Sequence, residues 1–465
     1  MRITTPGWST FLSSVKGPVI TASDANYDEA RAIWNGDVHR RPHAVVQVTD
    51  VEDVVNTIRY AGEAELPLAV RGGGHSYPGH STCDEGLVLD LSRMRHVELD
   101  RATGYVDAQG GALLGSVDDI TVPAGLVTPA GIVSHTGLGG LSLGGGIGYT
   151  TRSFGLTCDQ FVRVRLVTAD GDVLWASETE NPDLFWALRG GGGNFGVVTD
   201  FTLRTHELGP VQSGRLFYKM SEAVDIIVGV SEIMKHAPRE TSVTFSLGVN
   251  PEIIPALADS GMDERLLSIN LVHRGQAEDE IIREIRSFHK ALFDTIGTQD
   301  FLSVQRYYDK ISDRGFGWYM KSGHTRELTR EFAERMVESC LEYRKIASPH
   351  VAREVYAIQS LGGAASDIAE DATAYSGRAA QWHCAIEVGF TTHDERDRIV
   401  SWTKETWAET KKHLDMTTSY VNLSFDEGSL VNVYGEEKLQ RLQKIKGIYD
   451  PENMFRFNTN IEPLK

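Results

Sequence analysis

Cysteine is scarce in this chain: four among 465 residues, Cys83, Cys158, Cys340 and Cys384. They are far apart and form no CxxC pair, which argues against a zinc site and against a disulfide framework. Long hydrophobic runs are missing as well. None reaches the ~18 apolar residues of a membrane span, and the start, MRITTPGWSTFLSSVKGPV, has no long apolar core. Positive charge is in deficit: 46 Lys and Arg stand against 64 Asp and Glu, a formal net charge of −18. Such a chain is a poor partner for nucleic acid or an anionic membrane surface, and solubility alone accounts for its acidity. No GxxxxGK[ST] run occurs, so a nucleotide triphosphatase of the P-loop type is unsupported. The 15 histidines show no HExxH or comparable spacing, so no metal is expected, and His75, His80, His96 and His135 need not converge. Internal repeats, low-complexity tracts and linkers are absent. The expectation is a soluble, cytoplasmic protein with length for two or three domains and, at 41% hydrophobic residues, enough apolar material for real cores.

What the chain does hold is unevenly placed glycine: 17 of 46 fall in three clusters before residue 200. The first lies in AVRGGGHSYPGHS (Ala69 to Ser81), where a short apolar run ends in Arg71 and is followed by Gly72, Gly73, Gly74, His75 and Ser76. Glycine lets the backbone approach a ligand closely, and successive free N–H groups make an anion-binding nest. On these residues alone, a phosphate loop and a plain glycine-rich turn stay equally open. The second cluster is GIVSHTGLGGLSLGGGIGY, Gly131 to Tyr149, and the third runs from Gly190 to Gly196. Gly191-x-Gly193-x-x-Gly196 has the letters of a dinucleotide fingerprint, but a predicted helix precedes it and a β-rich run follows, the reverse of the required order. Together the clusters suggest one extended, phosphate-rich ligand wrapped by several loops.

Local patterns fill in the rest. RRPHAVVQV reads as a strand, and Thr49 with Glu52 reads as a capping box before a helix carrying Val54, Val55, Ile58 and Ala61. Strands are predicted over 86–91, 96–100 and within 104–111, then a helix over ALLGSVDDIT. Residues 162–177 read as a hairpin over an Asp170-Gly171 turn. Asn181 and Pro182 read as cap and first residue of a helix. Beyond residue 205, strand-like SVTFSLGV and LLSINLVHR alternate with amphipathic helices. One of these carries Ile281, Ile282, Ile285, Phe288 and Leu292 as a stripe, and another spans Asp394 to Leu414. The tail holds YVN, a helix over Glu436 to Ile448 and an Asp450-Pro451 turn.

Four segments in this order, RGGGHSYPG, the 131–149 run, LFWALRGGGGNFGVVTDFTL and YDPENMFRFNTNIEP, resemble the vanillyl-alcohol-oxidase superfamily of flavoproteins, and within it the berberine-bridge-enzyme-like group. That group includes 6-hydroxy-D-nicotine oxidase and oligosaccharide oxidases. The resemblance covers nearly the whole chain and is weakest between about residues 205 and 370. It implies an α+β fold: a PCMH-type FAD-binding domain in two parts, 1–205 and 415–465, and a substrate domain at 206–414 whose mainly antiparallel sheet is backed by helices. It implies FAD as cofactor, with the loop from Arg71 to Gly79 at the pyrophosphate and His75 bonded to the flavin 8α carbon. Many members add a second link from a cysteine in a run like GxCPTVGxGG. Val133 stands at that position here and cannot form a thioether, so a single covalent bond through His75 is expected. Thr136 falls where the family tunes access of oxygen. Further flavin contacts carry over to Arg71, Gly72, Gly73, Gly74, Ser76, Gly139, Gly140, Gly145, Gly148, Val197, Asn458 and Asn460.

The resemblance also implies a reaction: hydride transfer from a substrate C–H (alcohol, sugar or secondary-metabolite CH–OH) to flavin N5, with molecular oxygen as acceptor giving hydrogen peroxide. Tyr420-Val421-Asn422 matches the family's Tyr-x-Asn motif, which makes Tyr420 the expected base beside Asn422. A phenol with an ordinary pKa of about 10 needs a nearby cation or donors to work near neutrality, and Lys321 in YMKSGH is the candidate cation. Arg378, Gln381 and His383 belong to another segment that often reaches the site. Oxidation of a cyclic amine, oxidative cyclisation, and a flavin-carrying protein without turnover are the alternatives. A monomer and a homodimer stay equally open.

Overall fold

The computed structural model describes residues 7–254, 264–312, 314–343, 345–346, 355–423 and 430–464. Apolar runs and alternations sort the chain into three main sheets. In the first, Val19–Thr21, Ala44–Gln47, Leu87–Asp90 and Leu68–Arg71 lie side by side in that order, the last three parallel. The helix Val51–Glu63 packs Val54, Ile58 and Ala61 against this sheet. Its cap is Asp50, whose carboxylate accepts the Asp53 N–H, one residue after the expected Thr49. Thr49 instead donates its own N–H and hydroxyl to the Asp53 carboxylate, which draws the box one position along.

The second sheet is antiparallel: Val97–Asp100, Tyr105–Gln109, Val197–Arg204, Phe161–Val167 and Val173–Ser177, in spatial order. Its last two strands are the predicted hairpin. The helix Pro182–Leu188 starts at its proline as expected, but Asn181 does not cap it. The asparagine is left-handed, φ 48°, and its amide donates to the Trp175 carbonyl.

The third sheet has eight strands and is antiparallel throughout. From its middle out to one edge, Thr241–Val249, Tyr356–Ser360, Trp382–Phe390 and Gly317–Thr325 run side by side. One face of these strands is apolar. Phe245, Ile358, Cys384, Ile386 and Val388 share a core with Ile226, Phe332 and Ile399 from the helices Ala223–Met234, Arg330–Tyr343 and His393–Thr410. The opposite face is turned toward the first two sheets. The predicted stripe of residues 281–292 is shorter than its spacing suggested. The helix ends at Phe288, so Ile281, Ile282 and Ile285 are buried while Phe288 and Leu292 are exposed.

The tail helix Glu436–Tyr449 returns to the third glycine cluster. Lys446 is fully buried there, and its ammonium donates to the Asp450 carboxylate at 2.6 Å, the Asn194 carbonyl at 2.8 Å and the Phe455 carbonyl at 3.0 Å. Asn194 answers by donating to the Gly191 and Thr459 carbonyls and accepting the Ile461 N–H. A buried charge is tolerated when its donors are all matched in this way. The chain therefore folds as the resemblance implies, mixed α and β with an antiparallel, helix-backed sheet. The four cysteines are free and buried, and among the described residues no helix is long and apolar enough to cross a membrane.

Candidate active site

The three glycine clusters, the tail and the open face of the eight-stranded sheet enclose a cavity of about 370 Å³. One wall is backbone. Gly72, Gly73, Gly74 and Ser76 line it from the first loop, Gly139 and Gly140 from the second, and Gly191 to Gly193 from the third. A Cβ added at Gly140 or Gly193 would meet nothing within 4 Å, because these Cα atoms face the open cavity. A side chain there would occupy ligand space. Asn458 reaches the same wall from the tail and donates to the Gly193 and Phe455 carbonyls. The amide oxygens of Asn458 and Asn460 are buried without a hydrogen-bond partner among the described residues, but only Asn458 lines the cavity; Asn460 lies outside the lining.

Arg71 does not line this wall. Its guanidinium turns back under the loop, donating to the Ala30, Arg31 and Ser81 carbonyls, with Asp90 at 4.0 Å. The loop is thus held from below and presents backbone rather than a cation to the cavity. Gly145 lies outside the lining with its Cα under the rings of Tyr375 and Tyr420, and Gly148 packs on the Ala130 carbonyl. Val197 is turned into the core of the first sheet while its neighbours Gly196 and Val198 line the cavity, the alternation a strand imposes.

His75 stands at the junction of the walls. Its ring stacks on Trp34 at 4.7 Å, and a hydrogen bond of 2.7 Å joins its Nε2 to Nδ1 of His135. His135 lies in the loop that also brings Val133 and Thr136 to the cavity. That loop is gripped from the sheet side, where the Asp309 carboxylate accepts the Ser134 N–H at 2.8 Å and its hydroxyl at 2.5 Å. Burial pushes His75 down to about 3, so the imidazole is neutral across the physiological range.

Tyr420 and Asn422 sit where the tail threads between the second glycine cluster and the strand Gly317–Thr325. The Tyr420 oxygen accepts the Gly146 N–H at 2.8 Å and the Asn422 amide at 2.9 Å. Asn422 also donates to the Leu141 carbonyl, and its amide lies within 2.1 Å of where a Cβ on Gly144 would fall, so this close approach requires glycine. Burial pushes the Tyr420 hydroxyl above its ordinary value, outweighing the Asn422 and Gly146 donors that favour the phenolate.

The second wall is made of side chains from alternating positions. Thr244, Ala357, Gln359, His383, Ala385, Glu387, Trp318 and Met320 face the cavity. Lys321, next to Met320, falls on the strand's opposite face and is outside the lining, in register with the core residue Ile386. Of the other segment singled out in sequence, only His383 lines the cavity. Arg378 is buried in an ion pair with Asp159 at 2.8 Å, and Gln381 is exposed. Burial drives His383 well below its ordinary value. Sequence patterning passed over His135, Tyr77, Gln359 and Glu387. The Tyr77 hydroxyl donates to the Glu387 carboxylate at 2.5 Å, bridging the walls. For Glu387 a signal was available: in WHCAIEVGF the polar residues alternate with Trp382, Cys384 and Ile386.

A backbone wall, a buried neutral imidazole and a hydrogen-bonded tyrosine around one cavity are compatible with a flavin-dependent oxidoreductase. Known families agree. Residues 42–177 match the profile of an FAD binding domain, and residues 419–462 match the berberine and berberine-like profile. The chain belongs to the berberine-bridge-like FAD-linked oxidoreductases. It is 32% identical to the FAD-linked oxidoreductase pgmH of Aspergillus terreus over 95% of this chain and 92% of that one. It is 29% identical to (R)-6-hydroxynicotine oxidase of Paenarthrobacter nicotinovorans over 97% of each. Its fold matches xylooligosaccharide oxidase of Myceliophthora thermophila C1 with a TM-score of 0.82 and 25% identity, over 98% of this chain and 99% of that one.

Proposed function

We propose that this enzyme oxidises an alcohol carbon of a small-molecule substrate, with Tyr420 receiving the hydroxyl proton and molecular oxygen as the final acceptor. The observation that carries this reading is the seat of Tyr420: on the cavity, between the two walls, with its oxygen held by two N–H donors. FAD, when bound, supplies the acceptor for the hydride. The 72–76 loop would hold its pyrophosphate on N–H groups, and Asn458 would accept from one of its donors. In the same reading residues 1–205 and 415–465 form the FAD-binding unit and 206–414 the substrate unit.

His75 would be the only covalent anchor, since Val133 offers no sulfur. His135 occupies Nε2 of His75, which leaves Nδ1 as the nitrogen for the bond. Burial keeps the ring neutral, and the tautomer that donates from Nε2 to His135 has its lone pair on Nδ1. Tyr420 is a neutral phenol at rest, and the fraction ionised sets how often a proton can be taken. Anaerobic mixing with alcohols, followed through bleaching of the flavin absorbance, tests the assignment. Tyr420→Phe is expected to slow bleaching about 100-fold or more, and an undiminished rate would remove Tyr420 from the role.

Oxidation of an amine is the second reading, favoured by the same burial of Tyr420, because a neutral amine surrenders a hydride without a base. Bleaching by a cyclic amine, equally fast in wild type and Tyr420→Phe, would establish it.

A further inference from the structure

We propose that His324 is a proton relay that connects the cavity beside Tyr420 with a second cleft open to solvent. This rests on the reading of Tyr420 as the base and adds the route by which its own proton leaves. Burial keeps Tyr420 a phenol at rest, and a phenol must lose its proton before it can take one from an alcohol. The Gly146 N–H and the Asn422 amide that hold its oxygen are donors and cannot receive that proton. The imidazoles of His383 and His324, cross-strand partners in register, can. The His383 ring lies 5.6 Å from the Tyr420 ring and 5.4 Å from the His324 ring. Neither nitrogen of His383 has a hydrogen-bond partner among the described residues. The bonded pair His75 and His135 has its ring centres 4.7 Å apart, so a rotation of the His383 ring suffices to pass a proton to His324.

His324 is placed to pass a proton through itself. It is fully buried, and each ring nitrogen has a hydroxyl partner: Tyr375 at Nε2, 3.4 Å away, and Thr418 at Nδ1, 3.1 Å away. A hydroxyl donates or accepts, and a neutral imidazole carries one hydrogen that can sit on either nitrogen. Both tautomers therefore satisfy both bonds. Burial draws the ring down to about 4, against a pull from the Glu370 carboxylate, so near neutrality it hands a proton on rather than storing one. Thr418 and Gly377 line a cleft of about 460 Å³ that shares no lining residue with the main cavity, and Arg326, Ala369 and Ala379 on that cleft are exposed. Gly377 has φ 96°, and a Cβ there would fall 2.7 Å from Nδ1 and 3.0 Å from the Thr418 hydroxyl, so glycine leaves the passage clear. In each turnover the Tyr420 O–H bond breaks and its proton reaches the Nε2 end of His324 by way of His383. Nδ1 releases its own proton through the Thr418 hydroxyl to water in the cleft, and a flip of the ring resets the relay. The substrate hydroxyl then gives its proton to Tyr420 as the hydride leaves the carbon.

The test begins with the flavin-loaded enzyme without substrate. Exchange of the His324 ring N–H with water, read by nuclear magnetic resonance on isotopically labelled histidine, is expected to slow about tenfold or more in Thr418→Val, which keeps the shape and loses the hydroxyl. Equally fast exchange in wild type and Thr418→Val overturns the inference, because the proton then leaves elsewhere. Exchange needs no substrate, so it decides the relay even if no alcohol bleaches the flavin. The second arm is anaerobic bleaching by whichever of 1-butanol, benzyl alcohol and cellobiose acts fastest. His324→Ala is expected to slow it about tenfold or more, with flavin content unchanged, and added imidazole to restore most of the loss. His324→Gln keeps a donor and an acceptor for its two hydroxyl partners but cannot pass a proton between them, so it should stay as slow as His324→Ala. Recovery in His324→Gln without recovery by imidazole overturns the inference in favour of a structural role. Thr418→Val carries both readouts if His324→Ala fails to fold. Tyr420→Phe that bleaches as fast as wild type, with exchange still dependent on Thr418, leaves the relay standing and removes the tyrosine as base. Bleaching that Tyr420→Phe slows and the His324 and Thr418 variants leave untouched does the reverse.

Discussion

The two walls of the cavity are built by opposite means. The wall from residues 72–76, 137–140 and 191–193 is backbone, made where side chains are missing, as at Gly140 and Gly193. The wall from the eight-stranded sheet is side chain, made where a period of two turns Gln359, His383 and Glu387 inward and sends Ile358, Cys384 and Ile386 to the helices. Backbone amides are the same whichever residues flank them, so the first wall suits a part of the ligand that never changes. Side chains are exchangeable without disturbing the sheet, so the second suits the part that does. Changes to the first wall should therefore abolish the flavin, and changes to the second should alter turnover or substrate while the flavin stays.

The largest effect is expected at the seam. His75→Ala should take covalently bound flavin from full occupancy to none, read as the loss of flavin mass from the denatured chain. Flavin that stays attached would mean another anchor and would break the assignment of His75 to the cofactor wall. His135→Ala should leave the fold intact and lower the covalent fraction, because it frees the His75 ring to rotate about its stack on Trp34.

Next is Tyr420→Phe, which leaves the cofactor bound and slows flavin reduction by about 10²–10⁴-fold. The pH profile sharpens it. Burial places the Tyr420 hydroxyl above its ordinary value, and the ionised form is the one that accepts a proton. The reduction rate of the wild type should then climb about tenfold per pH unit from pH 6 to 9 without reaching a plateau. A profile flat over that range would deny the tyrosine its role as base.

The two walls also differed in how far the chain revealed them. The glycine loops were legible as turns because that requirement is local, whereas their flavin role, like that of Tyr420-Val421-Asn422, came only from the four segments read together as a resemblance. The sheet wall was not legible, because its row of Thr244, Gln359 and His383 is assembled from three strands spread over 140 residues of chain by a register no short window contains. Lys321 shows the hazard. Its segment reaches the cavity through Trp318 and Met320, but a shift of one residue along a strand puts its side chain on the other face. His75 and His135 show the reverse: two histidines 60 residues apart, without metal spacing, converge because both loops close on the same seam.

A paired substitution separates the walls more finely. Gly193→Val adds a side chain into open cavity and should weaken the non-covalent FAD binding that precedes the His75 bond about 10–100-fold, an overpacking loss of about 1–3 kcal/mol, with little change in the fold of the apoprotein. Ala385→Leu fills the sheet wall and should leave flavin content unchanged while raising the KM for substrate. Equal loss of flavin in both variants would show that the walls are not independent.

The smallest effect concerns the base of the seam. Asp118, on the helix Leu114–Thr121, is buried near Asp119, Arg306 and Asp309, and its Oδ2 has no partner among the described residues. Burial, with Asp119 and Asp309 adding to it and Arg306 opposing, raises its carboxyl from 3.8 to about 7. A carboxyl whose folded value lies above its unfolded one favours the native state only while protonated. The folded form therefore loses stability as pH rises from about 4 through 7, by up to about 4 kcal/mol for a rise of that size. Asp118→Asn removes the charge that forms there but keeps a buried polar group, so about half of that loss, about 2 kcal/mol, should be recovered at pH 8 and almost none at pH 4. Thermal melts at the two pH values measure the difference. Because the Asp309 that crowds Asp118 is the same carboxylate that grips Ser134 in the His135 loop, the pH dependence should also appear in flavin retention. A melt that rises equally at both pH values would mean that the gain comes from packing rather than charge, and that the seam holds the two walls together without regard to protonation.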